Sequence, residues 1–253
     1  MSRTHKKPVV TLAQNIQDVK EQLKGRVPDS VEHSAFDGNT TTHMRRNLSI
    51  RTTPVAIGIP CDELMFSQFF TNLMTISIMP WDAFITTQNT LVQDARNTIH
   101  NLYLERSKAP YLFMLDSDVL PPPDVIERLI AHNLPAVAGY YHKKEKFRVK
   151  DLQGNEFVTQ RPVVYDFAKI DPETGRYLYN ERSIPKTGLE VVGAVGAGCW
   201  MIKREVLEKI GKSPFSFAEG GEDMDFCRKI QKAGYDVVVD WDCPCAHVGT
   251  FWV

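Results

Sequence analysis

Long apolar runs are missing from this 253-residue chain. No stretch approaches the ~20 apolar residues that a membrane-spanning helix needs, so no integral membrane association is expected. The first residues are polar and basic without an apolar core, which does not read as a secretory signal. Cysteine is sparse: there are five, an odd number with no framework spacing, and this fits a reducing, cytoplasmic setting better than an oxidising one. An excess of either charge is missing too. The formal net charge of −1 gives no global attraction to nucleic acid or membrane. There is no internal repeat. What is present is ordinary for a globular protein, with 43% hydrophobic and 24% charged residues. The length is enough for one large α/β domain or two small ones. Basic residues cluster only locally, at Arg3 to Lys7, at Arg45-Arg46 and from His142 to Lys150.

Residues 11–24 read as an amphipathic helix. Thr11 with Gln14 forms a capping box, Leu12, Ile16, Val19 and Leu23 form one stripe, and Gly25 supplies the stop. From Arg26 to Thr53 the chain is polar without a period, as in a linker or extended arm. Residues 1–53 therefore form an N-terminal helix and arm, and 54–253 a separate domain. In that domain Val55 to Ile59 reads as a strand ending at Pro60, and Ala83 to Thr87 as another. A helix is expected over Thr90 to Ser107, with the stripe Leu91, Val92, Ala95, Ile99, Leu102 and Tyr103. Tyr111 to Leu115 is a fully apolar run, which marks a buried strand. A helix with Val125, Ile126, Leu129 and Ile130 inward follows Pro122-Pro123, and then a strand from Ala136 to Gly139. Residues 142–190 read as loops and weak strands. Val191 to Val195, a helix from Lys203 to Ile210, a helix from Glu222 to Ala233 and a strand at Val237 to Val239 complete the pattern. Strands alternating with helices argue for a mostly parallel sheet.

The chemistry concentrates in a few places. Asp116-Ser117-Asp118 ends the apolar strand and precedes Pro121-Pro122-Pro123. Carboxylates at the carboxyl end of a strand lie where open α/β sheets bind ligands. In an extended segment Asp116 and Asp118 would point the same way and converge on one hard cation. A capped turn is the plain alternative. Glu222-Asp223-Met224-Asp225 opens a helix; acidic residues suit the macrodipole there, but three carboxylates in four residues exceed what capping needs. A carboxylate so placed can act as general base. Cys243-Pro244-Cys245-Ala246-His247 is too tightly spaced for a paired-cysteine zinc site, and His247 follows the last strand toward the same edge. Gly193-Ala-Val-Gly196-Ala-Gly198 has the wrong glycine order for a dinucleotide fingerprint; close backbone packing or room for a ligand explains it better. Arg96 is either a surface charge or a residue facing a diphosphate.

In this order and spacing the residues resemble the GT-A glycosyltransferases, particularly family 2-like enzymes of bacterial and phage type. The resemblance runs from about Val55 to His247. It rests on the strand ending Ile59-Pro60, on Ala95-Arg96-Asn97, and on Asp116-Ser117-Asp118 as a DxD motif. It rests further on Gly196-Ala197-Gly198-Cys199, on Glu222-Asp223 with Phe226-Cys227, and on the late His247. The resemblance implies a GT-A fold, that is, an α/β Rossmann-like, mostly parallel sheet flanked by helices, here with an N-terminal helical extension. It implies a hexosyl- or pentosyltransferase of the cytoplasm of a bacterial or phage-infected cell, using a UDP- or GDP-sugar. Asp116, Asp118 and His247 would hold Mn²⁺ or Mg²⁺ on the donor diphosphate. Asp116 and Ser117 would lie near the ribose, Pro60 and Asp62 near the base, and Arg96 near the diphosphate. Gly198 and Trp200 would border the sugar and acceptor, with the tryptophan face stacking on a sugar ring. Asp223 would be the base of an inverting transfer, with Glu222 the runner-up. The alternatives are retention, a hydroxylated base in phage DNA as acceptor, and a metal-dependent nucleotidyltransferase, which would release pyrophosphate. The acceptor is not specified by the sequence.

Overall fold

The computed structural model describes residues 30–36, 41–47, 51–61, 65–88, 90–150, 153–154, 156–218 and 220–249. The chain divides into two compact units, Met1–Thr52 and Thr53–Val253. In the first, β1 (Ser30–Phe36) and β2 (Thr41–Asn47) pair antiparallel, Ser30 opposite Asn47 and Phe36 opposite Thr41. A hairpin thus stands where the polar composition reads as a linker or arm. The helix expected over residues 11–24 lies outside the described residues, as do Arg3 to Lys7.

The second unit contains β3 (Val55–Pro60), α1 (Ser67–Leu73), β4 (Ala83–Thr87), α2 (Val92–Arg106), β5 (Tyr111–Leu115), β6 (Val119–Leu120), α3 (Val125–Ala131) and β7 (Ala136–Tyr141). An excursion follows: β8 (Phe147–Lys150), β9 (Glu156–Thr159), β10 (Val164–Ile170), β11 (Tyr177–Glu181), β12 (Leu189–Val191) and β13 (Ala194–Val195). The chain then returns through β14 (Cys199–Lys203), α4 (Arg204–Ile210), α5 (Glu222–Lys232) and β15 (Val238–His247). The main sheet runs β12-β15-β7-β14-β5-β3-β4, with β6 joined to β15.

The sheet is mixed, with most of its strands running the same way. The pairs β3–β4, β3–β5 and β15–β7 are parallel, but β14 lies antiparallel between β5 and β7. β14 carries no polar residue until Lys203 and follows a glycine-rich segment, so its sequence reads as an approach to α4 rather than as a strand. β15 runs well past the expected Val237–Val239. Its register against β7 slips between Asp240 and Pro244, which accommodates a proline that cannot donate to the ladder.

Alternation along the strands divides the core between the two faces of the sheet. Ala56, Leu112, Met114, Trp200 and Ile202 pack on one side with Ile99 and Tyr103 of α2, Val206 and Leu207 of α4, and Phe226 and Ile230 of α5. Val55, Ile57, Phe113, Leu115 and Met201 pack on the other with Phe69 of α1 and Val125, Ile126 and Leu129 of α3. Both faces are covered, which is why β5 tolerates no polar residue. Cys199, Cys243 and Cys245 are free and buried in the second layer. A Cβ at Gly139 would stand 3.2 Å from the Cys199 thiol and 3.1 Å from that of Cys243. None of the described helices is long and apolar enough to cross a membrane.

His100 of α2 is wholly buried, and burial pushes its imidazole down to about 4, only partly offset by the nearby Gly211 backbone. The unfolded chain binds this proton near the ordinary value of about 6.5 and the folded chain does not, so stability falls as pH drops from 6.5 toward 4. Chemical denaturation should show a loss of roughly 2–3 kcal/mol across that window. A His100→Phe variant should lose this part of the pH dependence.

Candidate active site

The carboxyl ends of β3 and β5 and the start of α2 enclose a cleft of about 610 Å³ lined by Pro60, Cys61, Thr90, Leu91, Val92, Ala95, Asp116, Ser117 and Asp118. Such a volume suits a nucleotide-sized ligand. Leu91 and Val92, expected in the helix core, are exposed at this rim instead, with Leu91 67% accessible. Of the residues expected at the donor, Pro60, Asp116 and Ser117 line the cleft. Asp62 lies outside the described residues.

Asp116 and Asp118 do not point together. The chain turns directly after β5, with the Val119 amide bonded to the Asp116 carbonyl at 3.1 Å, so the alternation of an extended segment ends there. Asp116 turns to Arg96, whose Nη2 donates to Oδ2 at 2.6 Å. Asp118 turns to the end of β15, with its Oδ2 3.4 Å from Nε2 of His247 and 2.6 Å from Nζ of Lys144. Burial works to raise the Asp118 carboxyl, but His247 and Lys144 outweigh it and hold it at about 2. His247 reaches this point because β15 pairs with β6, His247 opposite Val119, and the Val248 amide bonds to the Asp118 carbonyl at 2.8 Å. Its Nδ1 is 2.8 Å from the carbonyl of His142. That bond places a proton on Nδ1 and aims Nε2 at Asp118.

Arg96 corrects its expected place at the diphosphate. It lies beneath the site, 2% exposed. Its Nη1 donates to Glu222 Oε1 at 2.6 Å and to Asp223 Oδ1 at 2.9 Å. With both terminal nitrogens engaged, it ties α2, the end of β5 and the start of α5 together. Burial works against its charge, but Asp116 and Asp223 more than compensate and raise it above its ordinary value. Burial pushes Asp223 up to about 7, opposed by Arg96 and reinforced by Glu222 and Asp116. Asp223 nevertheless keeps about a quarter of its side chain, 24%, in contact with solvent, so it can exchange a proton there. Asp225, the third acid of this turn, is buried and bonds to Ser216 and Lys229; it is structural. The turn is further fixed by Asn97, whose Nδ2 donates to the Phe215 carbonyl and whose Oδ1 accepts from the Phe215 amide, both at 2.8 Å. Phe215 in turn stacks on Phe226 of α5 at 4.2 Å.

Gly198 and Trp200 do not border the cleft. Trp200 is 1% exposed, donates Nε1–H to the Gly196 carbonyl at 2.8 Å and packs edge-on against Phe226. Its ring is core and offers no face to a sugar. Gly198 accepts from the Asp116 amide at 3.0 Å and donates to the Tyr141 hydroxyl at 3.2 Å. A Cβ there would come within 2.8 Å of the Tyr141 ring, so the glycines make room for this tyrosine rather than for a ligand. Tyr141 also meets His247 edge-on at 4.9 Å. Burial first, then Asp223 and Asp116, raise its hydroxyl well above the ordinary value against the pull of Arg96, so it stays neutral. Tyr141 and Lys144 are not among the residues expected from sequence. Tyr140-Tyr141 at the end of a buried strand was the available signal, hidden when that strand is closed at Gly139.

The donor set fits a cation held partly by substrate. Asp118 and His247 face one another, and Oδ1 of Asp116 is buried without a hydrogen-bond partner. The described residues contain no group of three or more His, Cys, Asp or Glu arranged to hold a metal ion. Two protein donors are, however, what Mg²⁺-type sites use when phosphates and water supply the rest. One guanidinium among Asp116, Glu222 and Asp223 leaves the region acidic, which favours a divalent cation.

At the level of sequence, no known family and no curated protein matches this chain. Its fold does have solved counterparts. The chain is similar to A197 from STIV, with 19% identity and a TM-score of 0.53 over 79% of this chain and 87% of that one. It is also similar to GalNAc-T7, solved with UDP, GalNAc and Mn²⁺, with 12% identity and a TM-score of 0.52 over 79% of this chain. The match covers 44% of the GalNAc-T7 chain, less than half its length. At these identities the likeness is one of fold, and the fold is α/β and GT-A-like.

Replacing Arg96 by Met should destabilise the protein by about 3 kcal/mol, because it strands three partly buried carboxylates. A fall in the urea midpoint would report it, and an unchanged midpoint would show that Arg96 does not hold these elements together.

Proposed function

We propose that this protein is a metal-dependent, inverting glycosyltransferase of the family 2-like type, moving a sugar from a UDP- or GDP-sugar to an acceptor hydroxyl. The observation that carries this reading is the linked set of acids at one sheet edge. Arg96 joins Glu222, Asp223 and Asp116, and Asp118, two residues further on, faces His247, beside a nucleotide-sized cleft. GalNAc-T7 has this fold and was solved with UDP, GalNAc and Mn²⁺, which supports the donor class and the metal.

Asp118 and His247 are the residues that would hold Mn²⁺ or Mg²⁺; Asp116, turned to Arg96, is not part of this pair. Bound there, the cation supplies Lewis-acid neutralisation of the departing diphosphate. Pro60 and Ser117 bind the nucleoside along the cleft wall. Asp223 takes the proton of the acceptor hydroxyl; a carboxylate raised to about 7 is a stronger base than an ordinary one and is still substantially ionised at neutral pH. Glu222, held by the same guanidinium nitrogen, positions the acceptor. Arg96 fixes both acids and contacts neither substrate. A nucleic-acid acceptor draws no support from the described basic residues near the site, since Lys143 and Arg161 both pair with Glu181 and Lys144 pairs with Asp118.

The test is a donor screen following nucleoside diphosphate release with and without Mn²⁺; release of pyrophosphate instead would indicate a nucleotidyltransferase. Asp118→Asn should lower metal-dependent turnover at least ~100-fold with unchanged circular dichroism. Asp223→Asn should lower kcat by roughly 10²–10⁴ while sparing donor binding. Because the base works deprotonated, kcat/KM should rise with pH through about 7, and the residual activity of Asp223→Asn should lack that limb.

A further inference from the structure

Lys144 has no place in the function proposed above, yet its ammonium sits on the oxygen that function needs. Nζ donates to Asp118 Oδ2 at 2.6 Å, the same oxygen that lies 3.4 Å from His247 Nε2. The arrangement is specific to this lysine. Its neighbour Lys143 turns away to Glu181. The methylenes of Lys144 lie over Gly249, where a Cβ would stand 3.2 Å from Cδ, so a glycine leaves the path open for the side chain. Lys144 is two residues beyond His142, whose carbonyl orients His247. The loop that prepares the histidine therefore also delivers the competing charge. The Lys144 side chain is 41% exposed, so it can leave without breaking the core.

We propose that Lys144 is a built-in counter-ion of the cation site: it neutralises Asp118 when no divalent cation is bound and must release that oxygen for one to bind. The inference rests on the metal site of the proposed function. An ammonium and a divalent cation cannot share one carboxylate oxygen at contact distance, so the two compete. An ion pair this exposed is weak, so the competition lowers cation affinity without abolishing it. The nucleotide-free enzyme consequently holds its cation loosely.

The test measures Mn²⁺ binding to the full chain without nucleotide, from the electron paramagnetic resonance signal of free Mn²⁺. Lys144→Met should bind Mn²⁺ about fivefold more tightly than the unmodified protein, the size expected for removing a partly exposed ion-pair partner. Lys143→Met makes the same change in net charge one residue away and should stay within about twofold, since charge removal outside the site acts only through screened solvent. Asp118→Asn should lose the binding in either lysine background. If Lys144→Met binds no more tightly than Lys143→Met, or binds less tightly, the proposal falls while the metal site stands. If none of the proteins binds Mn²⁺, the metal site falls and this proposal falls with it.

Discussion

A single buried guanidinium organises the candidate site of this molecule. Arg96 comes from the second turn of a helix, and its three carboxylate partners come from the end of a central strand and from the first turn of a second helix far along the chain. The planar fork of an arginine can serve two directions at once, which a lysine cannot do. Burying such a charge is costly, and only the surrounding acids make it favourable. The acids depend on it equally, since without it Glu222, Asp223 and Asp116 would repel one another across a poorly hydrated gap. Residues widely separated in the chain are thus held by one electrostatic knot, and the proton affinity of Asp223 is raised first by its burial there and then tuned by the opposing charges of Arg96, Glu222 and Asp116.

The second contribution comes from backbone pairing. β6 is only two residues long, but its bonds to the end of β15 bring His247 to Asp118. Tyr141 fills the space between these two halves, with its hydroxyl against the Gly198 amide and its ring against His247. The glycines at 196 and 198 belong to this contact. The site is therefore backed by an aromatic wedge and an ion cluster, while its open side faces the cleft.

Most of the core elements were legible in the sequence because their signals are local. β3, β4 and β5 announce themselves by apolar runs, and α2 by its periodic stripe. β14 was not legible: its partners, β5 and β7, are distant in sequence, and its antiparallel insertion makes the sheet mixed. The first hairpin was missed because its strands, β1 and β2, are polar and carry no clear period. For the site, residue types and order pointed to Asp116, Asp118, Asp223 and His247, but side-chain direction did not follow. Asp116 and Asp118 part company because the chain turns at Ser117. Arg96 and Trp200 face inward because α2 and β14 are covered on those sides, and such burial is a property of the assembled layers rather than of either segment.

Residues 241–243 have no partner on β7, because the ladder passes from Asp240 opposite Gly139 directly to Pro244 opposite Tyr140. The segment is held elsewhere instead: the Trp241 amide donates to the Gly188 carbonyl and the Asp242 amide to Asp240 Oδ1, both at 2.9 Å, and Trp241 and Cys243 are buried. Parity is fixed as well. Beyond it, Cys245 must face the core and His247 must face Asp118, and successive residues of a strand face opposite ways. Insertions or deletions of two residues preserve both, whereas a change of one sends the histidine to the wrong side. An odd change of length in this segment should therefore cost the facing of His247 on Asp118.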